Sequence, residues 1–167
     1  MHALRPTVLM LAAALAFAGA PALAHPGEHG AAATKAAPPA PAEAARVVDA
    51  FHAALARGDT AGALAQLAED ALIFEAGGAE RSKAEYAQAH LAGDAAFAQA
   101  VPGKLVRRTG GVAGAIAWVA SEGRTQGRYK DRDVDRVTTE TMLLRRDGRA
   151  WKIVHVHWSS RAAAAAH

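Results

Sequence analysis

The chain has 167 residues with 19 Lys and Arg against 16 Asp and Glu, a formal charge of +3, so no strong field of one sign points to a nucleic acid or an anionic surface. It contains no cysteine. Disulfides, a thiol nucleophile, Cys-ligated zinc and a lipidated cysteine are therefore excluded, and the fold must be stabilised by its core alone.

Residues 1–24 read as an export signal, with Arg5 as a short basic region, an apolar run from Val8 to Gly19, and Ala22-Leu23-Ala24 as an A-x-A cleavage site. Cleavage after Ala24 makes the product an exported protein, periplasmic or secreted, beginning at His25. The apolar run is short and is followed by small residues and prolines, so no membrane span is expected in the mature protein. Loss of the signal removes Arg5 and no acid, which brings the charge closer to balance. Residues 25–42 are rich in Pro and Ala and hold no large apolar side chain, so they read as a disordered linker. Residues 43–161 then form one compact domain, and the alanine-rich 162–167 a frayed tail.

The domain opens with a predicted helix from Ala42 to Arg57, where Val47, Val48, Phe51, Ala54 and Leu55 make an apolar stripe. His52 sits at the margin of that stripe as a boundary residue. Gly58 ends the helix, Asp59 or Thr60 caps a short second one, Ala71 to Glu75 reads as a strand and Gly77-Gly78 as a turn. Ser82-Lys-Ala-Glu85 is a capping box that opens a third helix, on which Tyr86, Ala89, His90, Gly93 and Phe97 share a face. Beyond Pro102 come strands: Lys104 to Arg108, Val112 to Ser121, Val134 to Arg146 and Trp151 to Ser160. The basic runs among them alternate with acids and glycine and lack RNA-binding aromatics, so no nucleic-acid partner is expected. Helices followed by an antiparallel meander give an α+β class, with about three N-terminal helices packed on a strongly curved antiparallel sheet.

The last strand carries the strongest functional signal. Strict alternation puts Trp151, Ile153, His155, His157 and Ser159 on one face, grading from apolar to polar as a pocket wall would. Core-edge histidines bonded to neighbours are the competing reading. If Asp147-Gly148 forms the two central residues of a hairpin turn, Arg146 pairs with Arg149, Glu140 faces His155 and Thr138 faces His157; a one-residue slip puts Thr141 opposite His155 instead.

Several segments together resemble the NTF2-like superfamily, in particular its SnoaL-like and DUF4440-type branch, over about residues 43–161. They are the Ala-Arg-Gly-Asp59 turn, Leu-Ile-Phe-Glu75, the stretch from Glu80 to His90, and Glu140 to Gly148 running into Trp151 to His157. The ending also resembles the association domain of calmodulin-dependent kinase. The resemblance implies an NTF2-like cone with an internal pocket and a homodimer paired through the sheet face. It also implies that an acid base and hydrogen-bond donors can occupy the pocket, as in ketosteroid-isomerase-type relatives.

Three chemistries fit these residues. The first is binding of a small, mostly apolar molecule in the cone, with Tyr86, His90, His155, His157 and Arg161 as ligand-binding residues; Arg161 would clamp a carboxylate at the mouth. The second is acid–base catalysis such as isomerisation, cyclisation or dehydration, with His155 or His157 as base, Glu140 as its partner, and His90 or Tyr86 as opposing donor. Tyr86 also reads as a core residue with its hydroxyl at the surface. The third is a divalent metal, Zn or Cu, on His90, His155 and His157, with a separate terminal site at His25 and His29. No cofactor is required by the first two. Trp118 and Trp158 are either core or dimer-interface anchors.

Overall fold

A computed structural model describes residues 38–164, all within one compact unit, Ala36–His167. The expected signal (1–24), the His25 and His29 site, linker residues up to 37 and the last tail residues lie outside the described residues. The linker's final residues, 38–41, are docked: Gly110 N–H donates to Pro38 O at 3.2 Å, and Ala40 packs against the core. Gly110 permits this approach, because a Cβ there would meet Ala40 Cα at 2.8 Å.

The elements run α1 (Ala42–Ala56), α2 (Thr60–Gln66), β1 (Leu67–Glu75), β2 (Gly78–Glu80), α3 (Lys83–Ala89), α4 (Leu91–Ala100), β3 (Gly103–Ala113), β4 (Ile116–Tyr129), β5 (Arg132–Asp147) and β6 (Ala150–Ala162). The fold is α+β and NTF2-like, a single curved sheet in the order β2-β1-β6-β5-β4-β3. All neighbours are antiparallel except β1 and β6, which are parallel. The stripe on α1 is buried as its spacing predicts, with Val48, Phe51, Ala54 and Leu55 against the inward residues Val119, Met142, Leu144, Ile153 and Val156. Full burial of one such side chain stabilises by about 1.5–3 kcal/mol.

Local chemistry sets most boundaries. The Asp59 carboxylate accepts from Gly62 N at 2.8 Å and caps α2. Ser82 Oγ accepts from Glu85 N at 3.0 Å, but the returning Glu85 carboxylate accepts from Arg81 N at 2.6 Å, one residue earlier than a reciprocal box requires. The expected third helix is two helices, because the chain departs from helical geometry at His90 (φ −115°, ψ −27°). Four helices therefore replace the three expected. Val112 belongs to β3 rather than to the next strand, since Gly114 (φ 59°) turns the chain between Ala113 and Ile116. The last strand continues past Arg161 to Ala162, and Ala163 N donates to Asp135 O at 3.1 Å, so the tail begins as sheet.

Two departures decide where the histidines go. The β5–β6 turn is centred on Gly148-Arg149, with Asp147 paired to Ala150, because glycine supplies the positive φ (59°) at the first central position. A β-bulge at Val154 then shifts the register between Leu144↔Ile153 and Leu143↔His155. One inserted residue reverses the face of everything beyond it. Trp151, Ile153, Val156 and Trp158 therefore lie with the inward residues of β5, while His155, His157 and Ser159 lie on the opposite face.

Candidate functional site

The inner face of the sheet narrows from apolar residues to one buried acid. Glu140 lies on β5 between Met142 and Thr138 in the inward row and is 9% exposed. His52 on α1 places Nε2 at 2.7 Å from Glu140 Oε2, and Trp158 on β6 donates its indole N–H to the same oxygen at 2.8 Å. Arg108 on β3 reaches the site from the far side, donating Nε–H to Ser121 Oγ at 3.2 Å and Nη1–H to Asp49 Oδ1 at 2.5 Å. Ser121 is directly opposite Glu140 in the β4–β5 ladder. One helix and four strands thus converge on a single carboxylate. The trio of Phe51, His52 and Trp158 forms an aromatic wall beside it, with Phe51 stacked on Trp158 at 6.2 Å and edge-on to His52 at 5.6 Å.

Burial alone would raise the Glu140 pKa. The hydrogen bonds from His52 and Trp158 and the nearby Arg108 charge outweigh it, and the carboxyl is held below its usual value. An ionised Glu140 accepts, so His52 carries its proton on Nε2, and in the neutral ring the lone pair sits on Nδ1. Such a pair can bind a donor or orient an imidazole as a base.

Sequence reasoning placed Glu140 in the site but gave it the wrong partners. His155 and His157 do not face it: Glu140 pairs with Trp158, Thr141 with His157 and Leu143 with His155. The bulge at Val154 is the physical reason. On their own face the two histidines surround Phe74, at 5.3 and 6.2 Å between ring centroids, and His155 Nδ1–H donates to Leu72 O at 2.9 Å. Arg161 pairs with Val137 on that same face and donates to Ala162 O at 3.1 Å, so it does not clamp the mouth of the Glu140 site. Trp118 is on this outer face and 37% exposed, whereas Trp158 points inward.

His90 and Tyr86 belong to a second cluster. The Tyr86 ring is fully buried, and its hydroxyl, expected at the surface, donates to Asp94 Oδ2 at 2.9 Å. His90 contacts the Glu80 carboxylate through Nδ1, with Glu80 buried and His90 largely exposed. Glu75 and Asp94 have raised pKa values, chiefly through burial, and the Glu80 hydrogen bond and charge raise that of His90. Burial and the Asp94 charge keep the Tyr86 phenol neutral. His90, His155 and His157 therefore do not converge as a ligand set, and among the described residues no group of three or more His, Asp or Glu is placed to hold a metal ion.

The model of the SnoaL-like domain matches residues 45–164. The chain belongs to this SnoaL-like family. A solved protein from Shewanella frigidimarina NCIMB 400, named "putative ketosteroid isomerase", is 38% identical over 70% of this chain and 94% of its own, with a TM-score of 0.68. An NTF2-like protein with a cystatin-like fold from Novosphingobium aromaticivorans matches 74% of this chain and 83% of its own at 19% identity and a TM-score of 0.61. The CaMKII hub of S. rosetta matches 75% and 98% at 21% identity and 0.59. At those two identities the likeness is one of fold. A comparison with curated proteins finds no match. No described helix of the SnoaL-like domain is long and apolar enough to cross a membrane.

The residues missed by sequence reasoning are His52, Asp49, Arg108 and Ser121. Asp49 and His52 are three apart on one helix and flank the buried Val48 and Phe51, a legible pattern. Arg108 and Ser121 become visible only once the β3–β4 register is known.

Proposed function

We propose that this SnoaL-like domain binds a small molecule on the concave side of its sheet, with Glu140 as the fixed polar group and His52 as its exposed partner. The observation that carries this reading is a buried, ionised carboxylate held by an imidazole and an indole on the inner face of a fold whose relatives include a ketosteroid-isomerase-like protein. A carboxylate kept there for packing alone would cost free energy that an apolar residue would not. Native mass spectrometry of the protein isolated without chelators tests the reading. A mass excess lost on denaturation and lost in Glu140→Gln supports it; a bare chain in both, with no ligand shifting its melting temperature, sinks it.

Proton transfer at the same pair is the second reading, favoured by the 2.7 Å His52–Glu140 contact. Glu140 fixes the imidazole so that Nδ1 is the free base, and a carbon acid or leaving hydroxyl near it would exchange a proton with His52. An isomerase, cyclase or dehydratase would lose its rate in His52→Ala and keep most of its substrate affinity.

Export through residues 1–24 and association of two copies through the outer sheet face complete the proposal. The second is motivated by the exposed Trp118, Ile116 and Phe74 on that sheet. Sedimentation of wild type and Trp118→Glu distinguishes a dimer through this face from a monomer.

A further inference from the structure

Glu140 carries an acceptor that no protein group satisfies. Both of its hydrogen bonds, from His52 Nε2 and Trp158 Nε1, fall on Oε2, while Oε1 is buried and receives none. An ionised carboxylate offers about four lone-pair sites, and a buried charged acceptor left unmet is costly. Arg108, the nearest guanidinium, gives Nε–H to Ser121 and Nη1–H to Asp49 and none to Glu140 Oε1. The charge around the site is net negative, with the Glu140 and Asp49 carboxylates set against the single guanidinium of Arg108.

We infer that the ligand of the concave face carries a hydrogen-bond donor, a protonated amine in preference to a carboxylate, and that this group docks on the acceptor sites of Glu140 that His52 and Trp158 leave open. This rests on the binding reading proposed above. An ammonium is donor-only and cationic, so it meets an ionised acid with charge-assisted hydrogen bonds. A carboxylate would bring no donor and a third negative charge. The His52 side chain is 42% exposed, and when its imidazole swings aside it frees a lone pair of Oε2 for the ligand while Trp158 still holds the carboxylate.

Three probes of one shape, phenethylamine, phenethyl alcohol and hydrocinnamate, test the inference by titration into nitrogen-15-labelled protein. The reporter is the Trp158 indole N–H resonance, assigned through Trp158→Phe. The amine is expected to shift that resonance and to bind at least about tenfold tighter than the acid, with the alcohol between them. Glu140→Gln keeps an acceptor and loses the charge, so the amine's advantage should vanish. Where that variant fails to fold, His52→Ala replaces it: one more acceptor site is opened and the preference for the amine should persist or grow. Hydrocinnamate binding as tightly as the amine, with the same indole shifted, overturns the inference and leaves the binding reading standing. An indole resonance unmoved by every probe at millimolar concentration overturns both.

Discussion

His52 Nε2 lies 2.7 Å from Glu140 Oε2 and joins the first helix to the fifth strand across the concave face. The pair is asymmetric, with Glu140 9% and His52 42% exposed at the side chain. The sheet supplies the fixed member and the helix the one that can be displaced. A second bond, from Trp158, keeps Glu140 in place if the imidazole moves away. That arrangement suits a site that exchanges one donor for another.

Glu140→Ala should destabilise the protein by about 1–3 kcal/mol, because it strands the Trp158 N–H and opens space in a packed row. Trp158→Phe should cost about 1.5–3 kcal/mol through the lost hydrogen bond to an ionised carboxylate alone. The Glu140 carboxyl is held low, so its contribution is present above the unfolded carboxyl pKa and is lost as pH falls through the folded value. Urea unfolding at neutral pH and near pH ~3 checks both statements: the acid loss should be smaller in Glu140→Gln than in wild type.

The α1 stripe, the Asp59 and Ser82 caps and the presence of a hairpin after β5, though not its central pair, were legible, since each depends on residues a few positions apart. The site was legible in part. Glu140 was reached only through the hairpin register that set it opposite His155, and its observed partners come from α1, β3, β4 and β6, whose meeting depends on register. A bulge has no strong local signature: Lys152-Ile-Val-His155 reads as well in regular alternation as with Val154 inserted. The face of both histidines turned on that one residue. The break at His90 was hidden for a similar reason, because neither glycine nor proline marks it and only the tertiary contact with Glu80 accompanies it.

The Tyr86, His90, Glu80, Glu75 and Asp94 corner should be tightest in mild acid. His90 has a raised pKa, so its contribution is complete below the unfolded value near 6.5 and fades as pH rises through the folded one. Glu75 and Asp94 are also raised, which means that the folded state holds their protons more firmly and gains from them at low pH, losing that gain as pH rises. His90 should titrate above 6.5 by nuclear magnetic resonance, and in His90→Gln the loss of stability on the alkaline side should flatten. A His90 midpoint at or below that value would contradict the contact with Glu80.

His157→Ala should leave ligand binding at the concave face unchanged and shift stability by no more than about 0.5 kcal/mol, because the side chain lies on the outer face. On the proposal above, an effect of His157 would fall on the association of copies through the outer face. Calorimetric titration with any ligand found for the wild type, beside sedimentation, separates the two. Lost binding with an unchanged oligomer would return His157 to the site.

Deletion of Val154 tests the bulge itself. With that residue gone, Ile153 remains inward, His155 follows outward, and Val156 and Trp158 stay inward, so the observed faces survive in a regular ladder. The deletion should therefore fold, at a cost below about 3 kcal/mol, and keep the Trp158 indole resonance that reports the bond to Glu140. Deletion of Thr141 is the control, since it would turn either Glu140 or Met142 and Leu144 away from the core. That variant should fail to fold cooperatively by circular dichroism on heating. If the loss of Val154 abolishes folding while the loss of Thr141 does not, the register that separates Glu140 from the two histidines is wrong.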